Sequence, residues 1–248
     1  MAEGPAALIL DAPVPPRLLV RPATARRILD RLERQHPGAD TELDFTTPFE
    51  LLVATILSAQ CTDARVNQVT PKLFAAYPDA DALARVNPQD IEPVIQPTGF
   101  FRMKSRNIVQ MARALVKQHG GEVPAEMDAL VALPGVGRKT ANVVLGHALG
   151  KPGLPVDRHV LRVANRIGLV KSDDPVAVEA ALGRTRPPDR WTRLSDTLIL
   201  HGRRVCKPKP LCDRCLVPPD CVYFRTLGAK APARPPRHTK AARRRPAR

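Results

Sequence analysis

Four cysteines fall within sixteen residues, as Cys206-x5-Cys212-x2-Cys215-x5-Cys221, with Lys207, Pro208, Lys209 and Pro210 in the first loop. Thiolates are soft ligands, and four of them on one irregular stretch form the ligand set of a structural zinc ion or a four-iron cluster. A structural zinc site usually presents two CxxC pairs, or a Cys pair with a His pair. Here one CxxC is flanked by single cysteines at longer reach, which favours iron–sulfur. So late in the chain, such a group is expected to tie the polypeptide down rather than run redox catalysis. Lys207 and Lys209, held on its loop, are placed to offer charge to DNA phosphates. Cys61 stands apart and is expected to be a buried small residue without chemistry of its own.

The second constellation is the run Leu133-Pro134-Gly135-Val136-Gly137-Arg138-Lys139-Thr140-Ala141. It lies between two helical patterns and reads as a tight helix-to-helix turn. Its glycines permit positive φ and remove side chains, so that backbone amides can approach a phosphate, while Leu133 and Val136 can anchor the turn to the core. It resembles the helix-hairpin-helix motif, which grips one nucleic-acid backbone without reading sequence. That resemblance makes Gly135, Gly137 and Arg138 DNA contacts and implies a monovalent cation held by the turn's carbonyls. Lys139 falls in the first turn of the following helix, where the helix dipole and Arg138 both disfavour a charged ammonium. A lysine so placed either binds phosphate or attacks as the free amine to form a Schiff base. Asp157 comes eighteen residues later, just before another amphipathic stretch. An Asp there is usually a helix N-cap; the functional reading is a carboxylate that stabilises positive charge on a sugar and moves protons to and from the lysine. The two roles are compatible; His159 either supports the carboxylate or, as a lone histidine at a helix start more often does, serves only structure.

The elements that must hold these groups are helical. From residue 23 to 231 apolar residues recur three and four apart, with no sustained alternation, so the fold class is all-α. The spacing predicts helices over 24–35, 48–57, 62–77, 80–85, 88–95 and 104–119. Further helices are expected over 125–132, 138–149, 158–167, 175–182 and 190–203. Thr24 and Thr62 are N-cap types, and Asn87-Pro88 places a cap before a first-turn proline.

The 248 residues carry 39 Lys and Arg against 24 Asp and Glu, a net charge of +15, which concentrates polyanions around the protein. Eight of the basic residues lie between 229 and 248 without one acidic residue, leaving +7 on the rest. That tail is expected to be disordered and to act as a solubilising segment or an accessory DNA-binding arm. No signal peptide is read at the N-terminus and no stretch reaches the ~20 apolar residues of a membrane span. A soluble protein of a reducing cytoplasm is expected, associated with the nucleoid.

In this order the pieces resemble endonuclease III, a family of bifunctional DNA glycosylases and AP lyases, over nearly all of residues 23 to 227. The segments that carry the resemblance are Leu57-Ser58-Ala59-Gln60-Cys61-Thr62-Asp63, Thr98-Gly99-Phe100-Phe101, the hairpin with Lys139-Thr140-Ala141-Asn142-Val143-Val144-Leu145, Val156-Asp157, Leu198-Ile199-Leu200-His201-Gly202-Arg203 and the cysteine loop. The resemblance implies two helical domains with a DNA-binding cleft between them. A helical barrel spans residues 41–151, and a cluster domain joins 23–40 to 152–228, with 1–22 a flexible leader. It implies Lys139 as Schiff-base nucleophile, Asp157 as catalytic aspartate, Gln60 as the plug that fills the hole left in the duplex and Phe100 as the wedge between bases. It makes Cys206, Cys212, Cys215 and Cys221 the ligands of a [4Fe-4S] cluster. A monomer acting on double-stranded DNA with oxidised pyrimidines or AP sites is expected. Flipping a base costs a few kcal/mol, which a wedge and a plug partly offset.

Three positions depart from the family pattern: the first cysteine loop has five intervening residues where six are common, Arg158 replaces a small threonine, and the wedge is aromatic rather than leucine. Two rivals stand beside this reading. One is a related glycosylase for mismatched adenine or pyrimidine dimers, although a mismatch-adenine enzyme usually lacks a lysine at position 139. The other is a non-catalytic DNA-binding module in which Lys139 only binds phosphate and Asp157 only caps.

Overall fold

The computed structural model describes residues 18–227. These form twelve α-helices and, among the described residues, no strand: α1 (Pro22–Gln35), α2 (Pro48–Leu57), α3 (Asp63–Ala76), α4 (Ala80–Ala84), α5 (Pro88–Ile95), α6 (Phe101–His119), α7 (Met127–Val131), α8 (Arg138–His147), α9 (Arg158–Ile167), α10 (Pro175–Gly183), α11 (Trp191–Arg204) and α12 (Val222–Thr226). The segment 1–17 and the basic tail lie outside the described residues. No helix among the described residues is long and apolar enough to cross a membrane.

Two hydrophobic cores organise the helices. The first runs from Leu43 to Leu145 and is built around α2, whose residues 49 and 51–57 are all buried. A helix that is apolar all round has to be enclosed, and α3, α6 and α8 pack around it. Thr47 starts α2 by accepting a hydrogen bond from the Glu50 amide, with Pro48 at the first helical position.

The second core joins the two ends of the described chain. Ala25, Ile28, Leu29 and Leu32 of α1 meet Val160, Val163, Ala164 and Ile167 of α9, and Leu194 and Leu198 of α11. Both α1 and α9 carry their apolar residues at i, i+3, i+4 and i+7, one face of a helix. Polar clamps fix α1 further: Asp220 pairs with Arg27 at 2.7 Å and with Arg31 at 2.8 Å. The Gln35 side chain donates to the Arg214 carbonyl at 2.6 Å and accepts from the Leu216 amide at 3.2 Å. Each buried Leu or Ile contributes roughly 1.5–3 kcal/mol relative to exposure, whereas an exposed ion pair contributes at most about 1 kcal/mol. The apolar stripe therefore holds α1 in place, and the ion pairs set its register.

Several boundaries differ from the expectation for local reasons. Thr24 does not cap α1. The helix begins at Pro22 after Arg21, because a proline there surrenders an amide that has no intrahelical partner anyway. Helix α6 starts three residues before Lys104, directly after a left-handed Phe100. The 190–203 pattern starts at Trp191, since Pro188–Arg190 forms a 3-10 turn. The short α12, between Cys221 and the tail, was not anticipated.

Candidate active site and cysteine cavity

The hairpin joins α7 to α8. Leu133 and Val136 are buried in the first core, as expected of its anchors. Gly135 takes a φ of +78°, and a Cβ there would lie 2.8 Å from the Cβ of Asn107, so both its conformation and the close approach require glycine. Gly137 differs: its φ is −95° and it sits as the N-cap of α8. No atom lies within 4 Å of where its Cβ would point, so its role is to leave open space at the helix start.

Arg138 does not reach freely into solvent. Its guanidinium donates to both oxygens of Glu179 on α10, at 2.9 and 2.8 Å. The Asn142 side chain donates to the same carboxylate at 3.1 Å and accepts from the Leu154 amide at 3.0 Å. Glu179 therefore neutralises Arg138 and ties the hairpin helix to the second core, rather than leaving Arg138 to press its charge on Lys139.

Lys139 is exposed and makes no hydrogen bond or ion pair with the described residues. It lines an open cleft of about 520 Å³ that Asp157 also lines. Asp157 starts α9 and is its N-cap: Oδ1 accepts from the amides of His159 at 2.7 Å and Val160 at 2.9 Å. Oδ2 accepts no hydrogen bond from the described residues, which leaves one carboxylate oxygen for other chemistry. The capping role anticipated from sequence is present, and it aims the carboxylate. The His159 ring does not support Asp157 as expected; its Nδ1 lies 3.1 Å from an Arg162 nitrogen.

Gln60 and Phe100 share an unusual backbone. Their φ angles, +53° and +48°, are the only positive values at non-glycine positions among the described residues. Such conformations cost of order 1 kcal/mol each and are kept where surrounding structure enforces them. Phe100 is 60% exposed and so packs into neither core. Gln60 is also exposed, and Cys61 is half-buried against the first core rather than fully enclosed.

The cleft contains polar groups that sequence reasoning did not single out. His147 and Asp196 are both buried, with Nε2 3.0 Å from the Asp196 Oδ2 and Nδ1 3.1 Å from the Val143 carbonyl. Burial disfavours a charged imidazole, but the Asp196 carboxylate, the Val143 carbonyl and nearby Asp40 outweigh it, and the pKa of His147 is raised. Arg203 bonds Asp63 at 2.8 Å and pairs with Glu42. Nothing in the sequence pairs these residues: His147 and Asp196 lie 49 positions apart.

The four C-terminal cysteines line one small pocket together with apolar and aromatic residues including Ile167, Val217 and Phe224. None is disulfide-bonded. Among the described residues, no three of their sulfurs lie within 4.8 Å of one another. Burial pushes the Cys215 thiol up to about 11. The His201 Nε2 lies 3.7 Å from the Cys215 sulfur and an Arg166 nitrogen 3.7 Å from the Cys206 sulfur. Lys207 and Lys209 are exposed on the first cysteine loop.

Residues 53–188, which hold the hairpin, Lys139, Asp157 and Phe100, match the HhH-GPD superfamily base excision DNA repair protein family. The chain belongs to this superfamily. Endonuclease III of Synechocystis sp. is 53% identical over 193 residues, covering 77% of this chain and 88% of that one. Endonuclease III of Escherichia coli (strain K12) is 42% identical over 197 residues, 79% of this chain and 93% of its own. Among solved structures, a trapped endonuclease III–DNA covalent intermediate, an estranged-adenine complex, superposes with a TM-score of 0.81 at 39% identity, over 85% of this chain and 100% of that one. The superfamily match ends before the cysteines, so their metal rests on their own geometry.

Proposed function

We propose that this protein is a base-excision repair enzyme that removes oxidised pyrimidines from duplex DNA and cleaves the resulting AP site by β-elimination. The observation that carries the reading is that Lys139 and Asp157 line one cleft: an exposed lysine without a hydrogen-bond partner among the described residues, and a helix-capping aspartate with one oxygen that accepts no hydrogen bond from them. The similarity to endonuclease III proteins, one solved as a covalent DNA intermediate, supports the same chemistry here.

In this reading duplex DNA lies against the hairpin, where the amides of the Gly135–Gly137 turn and the positive end of α8 meet a backbone phosphate. A monovalent cation held by the hairpin carbonyls would reinforce that contact. Phe100 wedges into the base stack, Gln60 fills the vacated space and Lys207 and Lys209 meet phosphates further along. Neutral Lys139 attacks C1′ of the flipped nucleotide and the damaged base leaves. Asp157 stabilises positive charge on the sugar and carries the protons moved to and from the lysine amine. The resulting Schiff base acidifies the C2′ protons, and loss of one of them expels the 3′ phosphate. Damaged duplex DNA is thus the partner, and the protein acts as a monomer associated with the nucleoid.

Cys206, Cys212, Cys215 and Cys221 would hold a [4Fe-4S] cluster. Four thiolates on one zinc ion at 2.3 Å place their sulfurs about 3.8 Å apart, closer than any three of these come. The single CxxC flanked by lone cysteines supports a cluster over zinc, despite the shortened first loop. When bound, the cluster would join the chain after α11 to α9 and α1. The two hydrophobic cores support the division into a barrel over 41–151 and a cluster domain of 23–40 with 152–228.

The test is borohydride trapping on a duplex with one thymine glycol, comparing the intact protein with Lys139→Gln. A covalent protein–DNA band that vanishes in the variant is expected. Base release without a trapped band would instead mean hydrolysis directed by Asp157.

A further inference from the structure

Lys104 lies in the first turn of α6, and its side chain is 1% exposed, among the most enclosed in the protein. Its ammonium has no carboxylate partner among the described residues. It donates to two main-chain carbonyls, of Leu57 and of Thr98, each at 2.8 Å. Leu57 is the last residue of α2, whose final carbonyls lack intrahelical partners. Thr98 closes the 3-10 turn that precedes Gly99 and Phe100. Leu57 is followed by Ser58, Ala59 and Gln60, so one ammonium grips the chain three residues before Gln60 and two residues before Phe100.

Burying a lysine is costly, and burial pulls the pKa of Lys104 below its usual value, with the nearby Cys61 thiol opposing the shift. An apolar side chain would fill the same space without that cost. What only a long cationic donor supplies is simultaneous hydrogen bonding to two segments far apart in sequence. Those segments end in the two non-glycine residues with left-handed backbone among the described residues. A strained conformation persists only where its surroundings over-determine it, and the Lys104 bridge is the shared support of both.

We propose that Lys104 is a positioning residue that locks the Gln60 and Phe100 loops in one register, so that plug and wedge engage the duplex as a single unit. This rests on the reading of Gln60 and Phe100 as plug and wedge. Lys104 touches no substrate in this role and leaves Lys139 and Asp157 unaffected.

The test compares two substrates in single-turnover assays of the full chain. A duplex with one thymine glycol needs the base to be opened, whereas a single-stranded oligonucleotide with one AP site does not. Displacement of a positioned group by about 1 Å costs up to ~100-fold, so Lys104→Met is expected to slow duplex excision roughly 10- to 100-fold while single-stranded AP cleavage stays within about threefold. In a Gln60→Ala, Phe100→Ala background, adding Lys104→Met is expected to cost nothing further on the duplex. Should Lys104→Met not fold, Lys104→Gln, which keeps one neutral donor, is put to the same ratio.

Equal losses on both substrates would make Lys104 a general stability element and overturn the proposal. So would an unchanged duplex rate, or a full additional loss in the double-variant background. If the Gln60→Ala, Phe100→Ala protein itself excises at the intact rate, the plug-and-wedge reading fails and takes the proposal with it. If that protein is slow and Lys104→Met is normal, only the Lys104 proposal fails.

Discussion

Asp157 has two jobs in one side chain, and a pair of substitutions separates them. Oδ1 holds the amides of His159 and Val160, while Oδ2 accepts no hydrogen bond from the described residues. Asparagine caps helices about as well as aspartate, so Asp157→Asn keeps the Oδ1 bonds and is expected to change stability by less than about 0.5 kcal/mol. Alanine removes the cap at a cost of about 1 kcal/mol, which for a chain of this size lowers the melting temperature by roughly 2–4 °C. Both variants lose the carboxylate charge, and loss of a positioned acid–base group typically slows chemistry ~10²- to 10⁴-fold. The assay is thermal melting beside single-turnover excision and borohydride trapping on the same preparations. The expected pattern is one stable and one weakened protein, both nearly inactive. An asparagine variant that excises at the intact rate would refute the catalytic reading and leave only the cap. An asparagine variant that melts as low as the alanine one would refute the capping argument.

The ion pairs of Asp220 with Arg27 and Arg31 hold its carboxyl below its ordinary value of 3.8, the Arg27 hydrogen bond being the largest cause. A depressed carboxylate contributes stability above its unfolded pKa and loses it as pH falls through the folded one. The stability difference between the intact protein and Asp220→Asn is therefore expected to be constant near neutrality and to shrink below about pH 4 in chemical-denaturation curves. His147 has the opposite sign. Its raised pKa contributes stability in full below 6.5 and loses it as pH rises through the folded value, so the gap between intact protein and His147→Gln is expected to narrow on the alkaline side of 6.5. An NMR titration of its ring protons should show a midpoint above 6.5. Glu179→Gln frees Arg138 from its neutralising partner. Duplex binding is then expected to tighten, with the slope of log affinity against log salt steepening by about one charge; an unchanged slope would mean that Arg138 does not face the phosphates.

The helices were legible because their apolar spacing is strong, as at Val160, Val163, Ala164 and Ile167, which all reach the second core. Turn chemistry was legible too, since Leu133-Pro134-Gly135-Val136-Gly137 has few ways to fold and both its apolar residues are buried. Lys139 and Asp157 stood out by type and position, and the fold brings both to one cleft. Tertiary pairing was not legible. Nothing local links Arg138 to Glu179, His147 to Asp196 or Lys104 to the carbonyls of Leu57 and Thr98, because each pair is decided by how helices cross rather than by any periodicity. The left-handed backbone at Gln60 escaped for a related reason: glutamine carries no propensity for it, and the surroundings impose it.

The clamp on α1 also sets an order of assembly during synthesis. The first core needs only residues 43–145, so it can form while the remainder of the chain is still being made. Helix α1 is the earliest translated of the described helices, yet its partners on α9, α11 and the Arg214–Asp220 stretch come more than a hundred residues later. Its apolar stripe finds its first partner only when α9 has been made, and its ion pairs only when Asp220 has emerged. The nascent chain therefore passes through a stage with one finished globule and one orphan helix. That stage, rather than any state of the mature protein, is when the apolar face of α1 is most open to chaperones and to proteases.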